Sequence, residues 1–212
     1  MTPEGFAARF AVSRETLDDL ERYAALLARW QKTLNLIAPR TLPTVWERHF
    51  ADSAQLLALA PDAKRWLDLG SGAGFPGMVI AVMLKGVEDA RVDLVESNTR
   101  KCAFLDAVRR ETGAPARVHA IRIEAAANQL TGPFDVITAR ALAPLAELLP
   151  LIAPFLTGNA RALLPKGRDI EAELTEATRY WNIETETFES LTDSQARILM
   201  VHKLQRRESH GP

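Results

Sequence analysis

The sequence predicts an α/β protein with a seven-stranded, mostly parallel sheet and an N-terminal helical extension. Three observations support this prediction. Apolar residues recur at helical spacing over about the first 60 positions, short apolar runs then alternate with amphipathic segments, and the last two extended runs follow each other without a helix. Alternating strands and helices form parallel sheets covered on both faces, and 212 residues suffice for one such domain.

The first part of the chain has the pattern of amphipathic helices. In SRETLDDLERYAALLARWQKTLNL the apolar residues recur at steps of three and four, and Ser13 is a suitable N-cap. Two prolines interrupt the pattern, which resumes in TVWERHFADSAQLLALA and stops at Pro61. We therefore expect a helical extension over residues 1–62, packed on a core domain over residues 63–206, and a frayed tail over residues 207–212.

The remainder of the chain alternates between strands and helices. The predicted strands are WLDL, RVDLVE, RVHAI, FDVITA and RALLP, and the predicted helices between them are PGMVIAVML, NTRKCAFLDAVRRE, EAAANQL and PLAELLPLIAPFL. A polar helix over residues 169–181 precedes IETETFES and RILMVHKL, which we expect to pair as an antiparallel hairpin at one edge. Five alternating strands and a terminal hairpin are the layout of Rossmann-like class I methyltransferases. A dinucleotide dehydrogenase usually adds a second mononucleotide-binding half, for which this chain is too short.

Composition restricts the environment and the partners of the protein. Lys and Arg number 26 against 27 Asp and Glu, for a net charge of -1, so a nucleic-acid partner must meet a local basic patch. The single cysteine, Cys102, excludes an internal disulfide and fits a reducing cytoplasm, and the scattered histidines predict no metal site. We find neither a signal-peptide pattern nor an apolar run long enough to span a membrane. No exposed apolar stripe is evident, so we expect a monomer.

The stretch WLDLGSGAGFPG contains a glycine loop that leaves the first predicted strand and opens a helix. Such a loop lets backbone amides approach a ligand closely. Read from Gly72, it contains G-x-G-x-x-G, the dinucleotide pattern. Read from Asp68, it contains D-x-G-x-G-x-G, with Gly70, Gly72 and Gly74. The two patterns imply different cofactors.

Asp68 favours S-adenosylmethionine over NAD. The pyrophosphate of a dinucleotide repels a nearby carboxylate, whereas S-adenosylmethionine carries a sulfonium and an ammonium that a carboxylate can hold. Glu96 ends the second predicted strand, where an acidic side chain can accept hydrogen bonds from the ribose hydroxyls of either cofactor. Glu124 follows the third strand, where it could bracket an adenine edge or favour the start of a helix.

The fourth predicted strand lacks the motifs of two classes of methyltransferase. It ends in DVITARALAPL, without the proline-aromatic motif of amino-group enzymes, and Cys102 lies on the wrong helix for a cytosine-C5 nucleophile. The target is then an atom that is already nucleophilic, such as guanine N7, which needs alignment but no general base. Arg140, at the end of this strand, is our candidate catalytic residue, because it could pair with the methionine carboxylate or with an RNA phosphate.

Seven motifs of the chain form a recognisable set: RWQKTLNL, RHFADSAQLL, LDLGSGAGFPG, RVDLVES, RKCAFLDAV, FDVITARALAPL and LLPKG. Together they resemble the glucose-inhibited division protein B family over about residues 17–170. Members of that family are bacterial methyltransferases that modify N7 of a guanine, guanine 527, in the 530 loop of 16S ribosomal RNA. The resemblance implies S-adenosylmethionine as the methyl donor. It also implies cofactor contacts at Gly70, Phe75, Ile123, Glu124 and Arg140.

Basic residues could hold RNA where the crevice of the sheet is expected to open. The candidates for salt-dependent contacts to phosphates are Lys32, Arg48, His49, Lys166 and Arg168. Lys166 is the best placed, because it follows a strand end beside the crevice. Alternatively, such charges form a solvated face, and His49 with Asp52 braces the helical region against the glycine loop.

The sequence therefore predicts an S-adenosylmethionine-dependent guanine-N7 methyltransferase acting on 16S rRNA in the small ribosomal subunit or its assembly intermediate. Three other functions stay open. They are a methyltransferase for a small molecule, an NAD-binding oxidoreductase, and a ribosome-assembly module whose loop only stabilises the fold. Whether Arg140 serves the cofactor or the RNA also stays open at this point.

Overall fold

In the computed structural model the chain forms one seven-stranded sheet with helices on both faces. The structure describes residues 1–130 and 132–207, so residues 208–212 of the predicted tail lie outside the described residues. The α-helices are α1 (Pro3–Phe10), α2 (Arg14–Trp30), α3 (Asp52–Ala58), α4 (Gly77–Met83), α5 (Thr99–Thr112), α6 (Ile123–Gln129), α7 (Leu145–Ile152) and α8 (Ile170–Ala177). Two 3₁₀ segments (Pro39–Thr44 and Ala153–Phe155) and a π-helical turn (Trp46–Ala51) join them. Within the described part, no helix has both the length and the apolar character to cross a membrane.

The sheet confirms the predicted fold class. Its strands are β1 (Arg65–Leu69), β2 (Arg91–Val95), β3 (Ala116–His119), β4 (Val136–Thr138), β5 (Arg161–Lys166), β6 (Trp181–Glu189) and β7 (Arg197–Arg206). They are ordered β3-β2-β1-β4-β5-β7-β6, with β7 antiparallel to both neighbours and the other adjacent pairs parallel. From β1 the chain adds strands on one side, to β3, and from β4 it adds strands on the other side. This change of direction between β1 and β4 opens a crevice at the carboxyl ends of these two strands.

One local expectation is wrong by a few residues, and another is confirmed. The polar helix predicted over residues 169–181 ends at Ala177, and Trp181 is instead the first residue of β6. Trp181 pairs with Arg206 and packs against the apolar core on one face of the sheet, so tertiary packing overrides the helical pattern there. Ser13 is the N-cap of α2, as predicted, because its hydroxyl accepts a hydrogen bond from the amide of Thr16.

The helical extension shares its core with one face of the sheet. Phe6, Tyr23 and Phe50 are fully buried in the same apolar cluster as Val79 of α4 and Leu94 of β2. The other face is covered by α6, α7 and α8, which form a second cluster. The extension is therefore a layer of the core, and a domain boundary near residue 62 stays a prediction.

A buried carboxylate also ties the extension to the segment that follows α4. The carboxylate of Asp19 in α2 accepts hydrogen bonds from Arg22 and from Lys85, which follows α4, both at 2.7 Å. The hydrogen bond to Asp19 raises the pKa of Lys85. Asp19 is fully buried, and a buried charge is tolerated only when it is paired in this way.

The glycine loop fits its surroundings because two positions carry no side chain. A Cβ added at Gly74 would lie 2.5 Å from the hydroxyl of Tyr23 and 2.7 Å from Cβ of Met78. A Cβ added at Gly77 would lie 2.6 Å from Cβ of Asp68. These distances are shorter than van der Waals contact, so the loop can lie this close to α2 and β1 only with glycine at both positions.

Gly74→Ala is expected to destabilise the fold more than Gly86→Ala. Both glycines have positive φ angles, +90° and +85°, so alanine is strained at either position. At Gly74 the added Cβ would also clash with neighbouring atoms. At Gly86 it would not, since no atom of the described residues lies within 4 Å of a Cβ added there. Urea denaturation should show a loss of about 1–2 kcal/mol for Gly86→Ala and about 1–3 kcal/mol more for Gly74→Ala. Equal losses would contradict this account of the loop.

Candidate functional site

Two cavities at the carboxyl edge of the sheet share one wall, formed by residues 141–143 after β4. The smaller cavity, of about 420 Å³, lies between the glycine loop, the end of β2 and the start of α6. The larger cavity, of about 600 Å³, lies between the ends of β4 and β5, the helical extension and the β6–β7 turn. Both volumes are in the range of ligand-binding sites. The smaller cavity collects five predicted cofactor residues: Gly70, Gly72, Glu96, Ile123 and Glu124.

Glu96 fixes the glycine loop beside the smaller cavity. Its Oε2 accepts a hydrogen bond from the amide of Gly72 at 2.9 Å, and its Oε1 accepts one from the amide of Asn98 at 2.7 Å. Asn98 is the N-cap of α5, so one carboxylate joins the loop to the start of a helix. A carboxylate oxygen has a second lone pair, and Glu96 can therefore still accept a ligand hydroxyl.

Asp68 lies under the loop, and its side chain does not line either cavity in the described chain. Its Oδ1 accepts a hydrogen bond from the hydroxyl of Thr138 at 2.7 Å, and its Oδ2 accepts one from the amide of Gly77 at 3.3 Å. Burial raises the pKa of Asp68 to about 6, although these hydrogen bonds and the charge of Arg140 act in the opposite direction. Asp68 thus joins β1, β4 and α4, and its contact with an ammonium group stays a prediction.

Phe75 belongs to an aromatic cluster at the back of the loop. Its ring stacks on that of Tyr23 with centroids 5.5 Å apart and on that of His49 at 4.8 Å. The guanidinium of Arg140 lies 5.3 Å from the centroid of Phe75. Neither Gly74 nor Phe75 lines either cavity in the described chain, so cofactor contact by Phe75 stays a prediction.

Arg140 reaches from the end of β4 to the helical extension. It donates hydrogen bonds to the carbonyl of Arg48 at 3.3 Å, to Oδ2 of Asp52 at 3.2 Å and to Nδ1 of His49 at 2.8 Å. All four residues line the larger cavity, and none of them lines the smaller one. The sequence alternative in which His49 and Asp52 brace the helical region agrees with this geometry, and RNA contact by His49 stays a prediction.

The protonation state of His49 follows from its two partners. Burial, followed by the charges of Arg140 and Arg48, lowers the pKa of His49 to about 3, so the ring is neutral near pH 7. Because Nδ1 accepts from Arg140, the proton must lie on Nε2, which donates to the hydroxyl of Thr41 at 2.9 Å. Both ring nitrogens are engaged, and His49 is therefore a fixed acceptor for Arg140.

The β6–β7 turn lines one side of the larger cavity. The sequence does not predict this position of the turn. The hydroxyl of Thr192 donates to Oδ1 of Asp52 at 2.8 Å, and the amide of Leu191 donates to the side chain of Gln55 at 2.8 Å. Arg48 pairs with Asp193 in the same turn, at 3.1 Å. Residues 191–196, LTDSQA, lie between the two strands of the predicted hairpin, and nothing in their pattern indicates what they contact.

The predicted RNA-binding residues do not form one cluster. Lys166 lines the larger cavity, but its ammonium already donates to Oε2 of Glu173 at 2.7 Å and to the carbonyl of Ala143 at 3.2 Å. Arg48 and His49 line the same cavity. Lys32 and Arg168 are exposed and lie outside the residues that line either cavity. RNA contact stays a prediction for all five.

The carboxylates of the smaller cavity are suited to the nucleoside part of a cofactor. Glu96 and Glu124 line this cavity together with the basic residues Lys101 and Arg122. Ribose hydroxyls and the adenine amine are hydrogen-bond donors, for which carboxylates are suitable acceptors. Among the described residues, a Cβ at Gly72 would meet only the Gly70 carbonyl, at 3.8 Å, so the loop backbone is open on this side.

The fold is that of Rossmann-like class I methyltransferases. The O-methyltransferase TomG from Streptomyces achromogenes, solved in complex with S-adenosylmethionine, superposes with a TM-score of 0.60 at 14% identity, covering 88% of this chain and 90% of that chain. A TehB-like S-adenosylmethionine-dependent methyltransferase from Corynebacterium glutamicum gives a TM-score of 0.57 at 18% identity, covering 86% and 98%. At these identities the similarity establishes the fold, and the S-adenosylmethionine predicted from the glycine loop is in keeping with it.

The sequence defines the family. The family model described as GidB, rRNA small subunit methyltransferase G, matches residues 16–201. Ribosomal RNA small subunit methyltransferase G of Nitrobacter hamburgensis is 53% identical over 197 residues, covering 93% of this chain and 76% of that protein. The same methyltransferase of Methylorubrum populi is 53% identical over 195 residues, covering 92% of each. The chain therefore belongs to the GidB family of small-subunit rRNA methyltransferases, which confirms the resemblance found in its motifs.

Asp68→Asn should make the protein more stable at neutral pH relative to the wild type. The pKa of this carboxyl is about 6 in the folded protein against an ordinary 3.8, so between these values the folded state keeps a proton that the unfolded state loses. The contribution of Asp68 to the stability of the fold is then greatest below the ordinary pKa of 3.8, and it is lost as the pH rises through the folded-state pKa of about 6. The difference corresponds to about 3 kcal/mol.

Asparagine can replace both hydrogen bonds of Asp68, since its oxygen can accept from Gly77 and its amide can donate to the hydroxyl of Thr138. Urea titrations at several pH values should show the free energy of unfolding of the variant, minus that of the wild type, rising by about 3 kcal/mol between about pH 3 and about pH 7. A difference that does not change with pH would contradict the buried, proton-binding carboxyl.

Proposed function

We propose that this protein transfers the methyl group of S-adenosylmethionine to N7 of a guanine in the 530 loop of 16S rRNA, at guanine 527. The substrate is the small ribosomal subunit or its assembly intermediate. The observation that carries the proposal is the wall of residues 141–143 shared by the two cavities. A methyl donor in the smaller cavity and a base in the larger cavity would meet across this wall, at the crevice between β1 and β4.

The residues of the smaller cavity are suited to the nucleoside part of the donor. Glu96 accepts hydrogen bonds from the ribose hydroxyls, while Ile123 and Glu124 bracket the adenine. The backbone of Gly70 and Gly72 forms the floor, and the same loop brings the ammonium group towards Asp68 and Phe75. When bound, S-adenosylmethionine supplies an electrophilic methyl group, which the N7 lone pair attacks in line while the bonding pair stays on sulfur.

Arg140 serves the RNA side of the reaction. It lines the larger cavity and not the smaller one, and Asp52 and His49 hold its guanidinium in place. Its charge is suited to orient the phosphate or the base of the target nucleotide. His49 is neutral and engaged at both nitrogens, and it is not available as a general base. Guanine N7 carries no proton, so alignment without a base is sufficient.

The remaining predictions for the protein complete this proposal. Arg48 and His49 form the rim of the larger cavity, and exposed Lys32 and Arg168 add salt-dependent contacts to phosphates farther out. The protein acts as a monomer in the cytoplasm, with residues 1–62 packed on a methyltransferase domain over residues 63–206. The family supports this function over methylation of a small molecule, over NAD-dependent oxidation and over a purely structural role in assembly.

Small ribosomal subunits from cells that lack this protein should gain one methyl group when incubated with it and S-adenosylmethionine. Mass mapping of the 16S rRNA should place that methyl on N7 of guanine 527. The Arg140→Met variant should bind S-adenosylmethionine within about threefold of the wild type but methylate subunits about a hundredfold more slowly, because alignment on the RNA side is lost.

The matched control is Arg179→Met. Arg179 is an exposed arginine that pairs with Glu176 and lines neither cavity in the described chain, so its variant should behave as the wild type. Methylation of metabolites but not of subunits, or tight binding of NAD without binding of S-adenosylmethionine, would refute the proposed function. Loss of S-adenosylmethionine binding in Arg140→Met would instead assign Arg140 to the cofactor.

A further inference from the structure

Three carboxylates in the described chain line the larger cavity, and two of them are already engaged. Asp52 accepts hydrogen bonds on both oxygens, from Arg140 at 3.2 Å and from Thr192 at 2.8 Å. Asp193 is ion-paired with Arg48 at the exposed rim, with 3.1 Å between the charged atoms. The second oxygen of Asp193 accepts from the amide of Gln195 at 3.0 Å, so both oxygens of Asp52 and of Asp193 are engaged and the third carboxylate differs from them.

That third carboxylate is Glu173 on α8. Its Oε2 accepts from the ammonium of Lys166 and from the amide of Leu145, both at 2.7 Å. Its Oε1 has no hydrogen-bond partner among the described residues. Every buried side-chain oxygen in the described chain does have a partner, so Oε1 must be accessible, and the side chain is 26% exposed. Glu173 is also one of the residues that line the larger cavity.

The position of this oxygen is fixed relative to the wall between the cavities. Lys166, which pairs with Glu173, also donates to the carbonyl of Ala143 at 3.2 Å, and Glu173 itself holds the amide of Leu145. The two side chains thus hold the backbone at the end of the wall, through the carbonyl of Ala143 and the amide of Leu145. A side chain that is already immobilised loses little conformational entropy when it binds a ligand.

We propose that Glu173 selects guanine by accepting, on Oε1, hydrogen bonds from the N1–H and the 2-amino group of the target base. This inference rests on the proposed function. N7 lies on the opposite edge of the purine from these donors, so a base whose N7 faces the methyl donor presents them to the larger cavity. Adenine has a lone pair at N1 and no 2-amino group, and would leave the carboxylate facing an acceptor. An unstacked RNA base is commonly recognised through this edge.

The proposal is tested with a cycle of two enzymes and two bases. Small subunits are reconstituted with guanosine or with inosine, which lacks the 2-amino group, at the target position, and initial rates of methylation are measured. The wild type should prefer guanosine by about tenfold or more, since a good polar contact to a base contributes about 1–3 kcal/mol of discrimination. Glu173→Gln should methylate guanosine at least about tenfold more slowly and retain a preference below about threefold.

Glu171→Gln is the matched control, because Glu171 is exposed on the same helix and lies outside the residues that line the cavity. It should keep the preference of the wild type. Equal slowing of both substrates by Glu173→Gln would show a merely structural role and overturn the inference. A wild type that treats guanosine and inosine alike would overturn it without any variant. A wild type that methylates neither substrate would instead refute the proposed function.

Discussion

The close contact between the glycine loop and α2 is the constraint on which the rest of the site depends. The hydroxyl of Tyr23 donates to the carbonyl of Ala73. This contact leaves no room for a side chain at position 74, where the chain has glycine. Held in this way, the loop turns from β1 into α4 with the backbone of Gly70 and Gly72 facing the smaller cavity. Glu96 holds the loop at a second point, where its carboxylate accepts a hydrogen bond from the amide of Gly72.

The same contact extends to the larger cavity through a chain of stacked and hydrogen-bonded groups. Phe75 stacks on both Tyr23 and His49, and His49 in turn accepts a hydrogen bond from Arg140. Burial keeps His49 neutral, so it positions Arg140 through a hydrogen bond, while Asp52 forms the ion pair with Arg140. The helical extension is therefore part of the wall of the site, which accounts for its burial in the common core.

The sequence predicts those features that depend on neighbouring residues. Strand–helix alternation defines the fold, and Gly72 and Glu96 can be placed at one cavity because both directly follow parallel strands. The roles of Thr192 and Glu173 depend on how the β6–β7 turn and α8 return to distant strand ends, which no local pattern encodes. Lys166 was predicted beside the crevice and does line it, but its pairing with Glu173 could be recognised only in the structure.

Two cavities meet at one wall, and we propose that one holds the methyl donor and the other the base. A structure of the protein bound to a small ribosomal subunit with S-adenosylhomocysteine would test it most directly. We expect adenosine beside Glu96 and Glu124, sulfur facing residues 141–143, and the target guanine across that wall between Arg140 and Glu173. Adenosine in the larger cavity, or a guanine that approaches without entering it, would contradict the account.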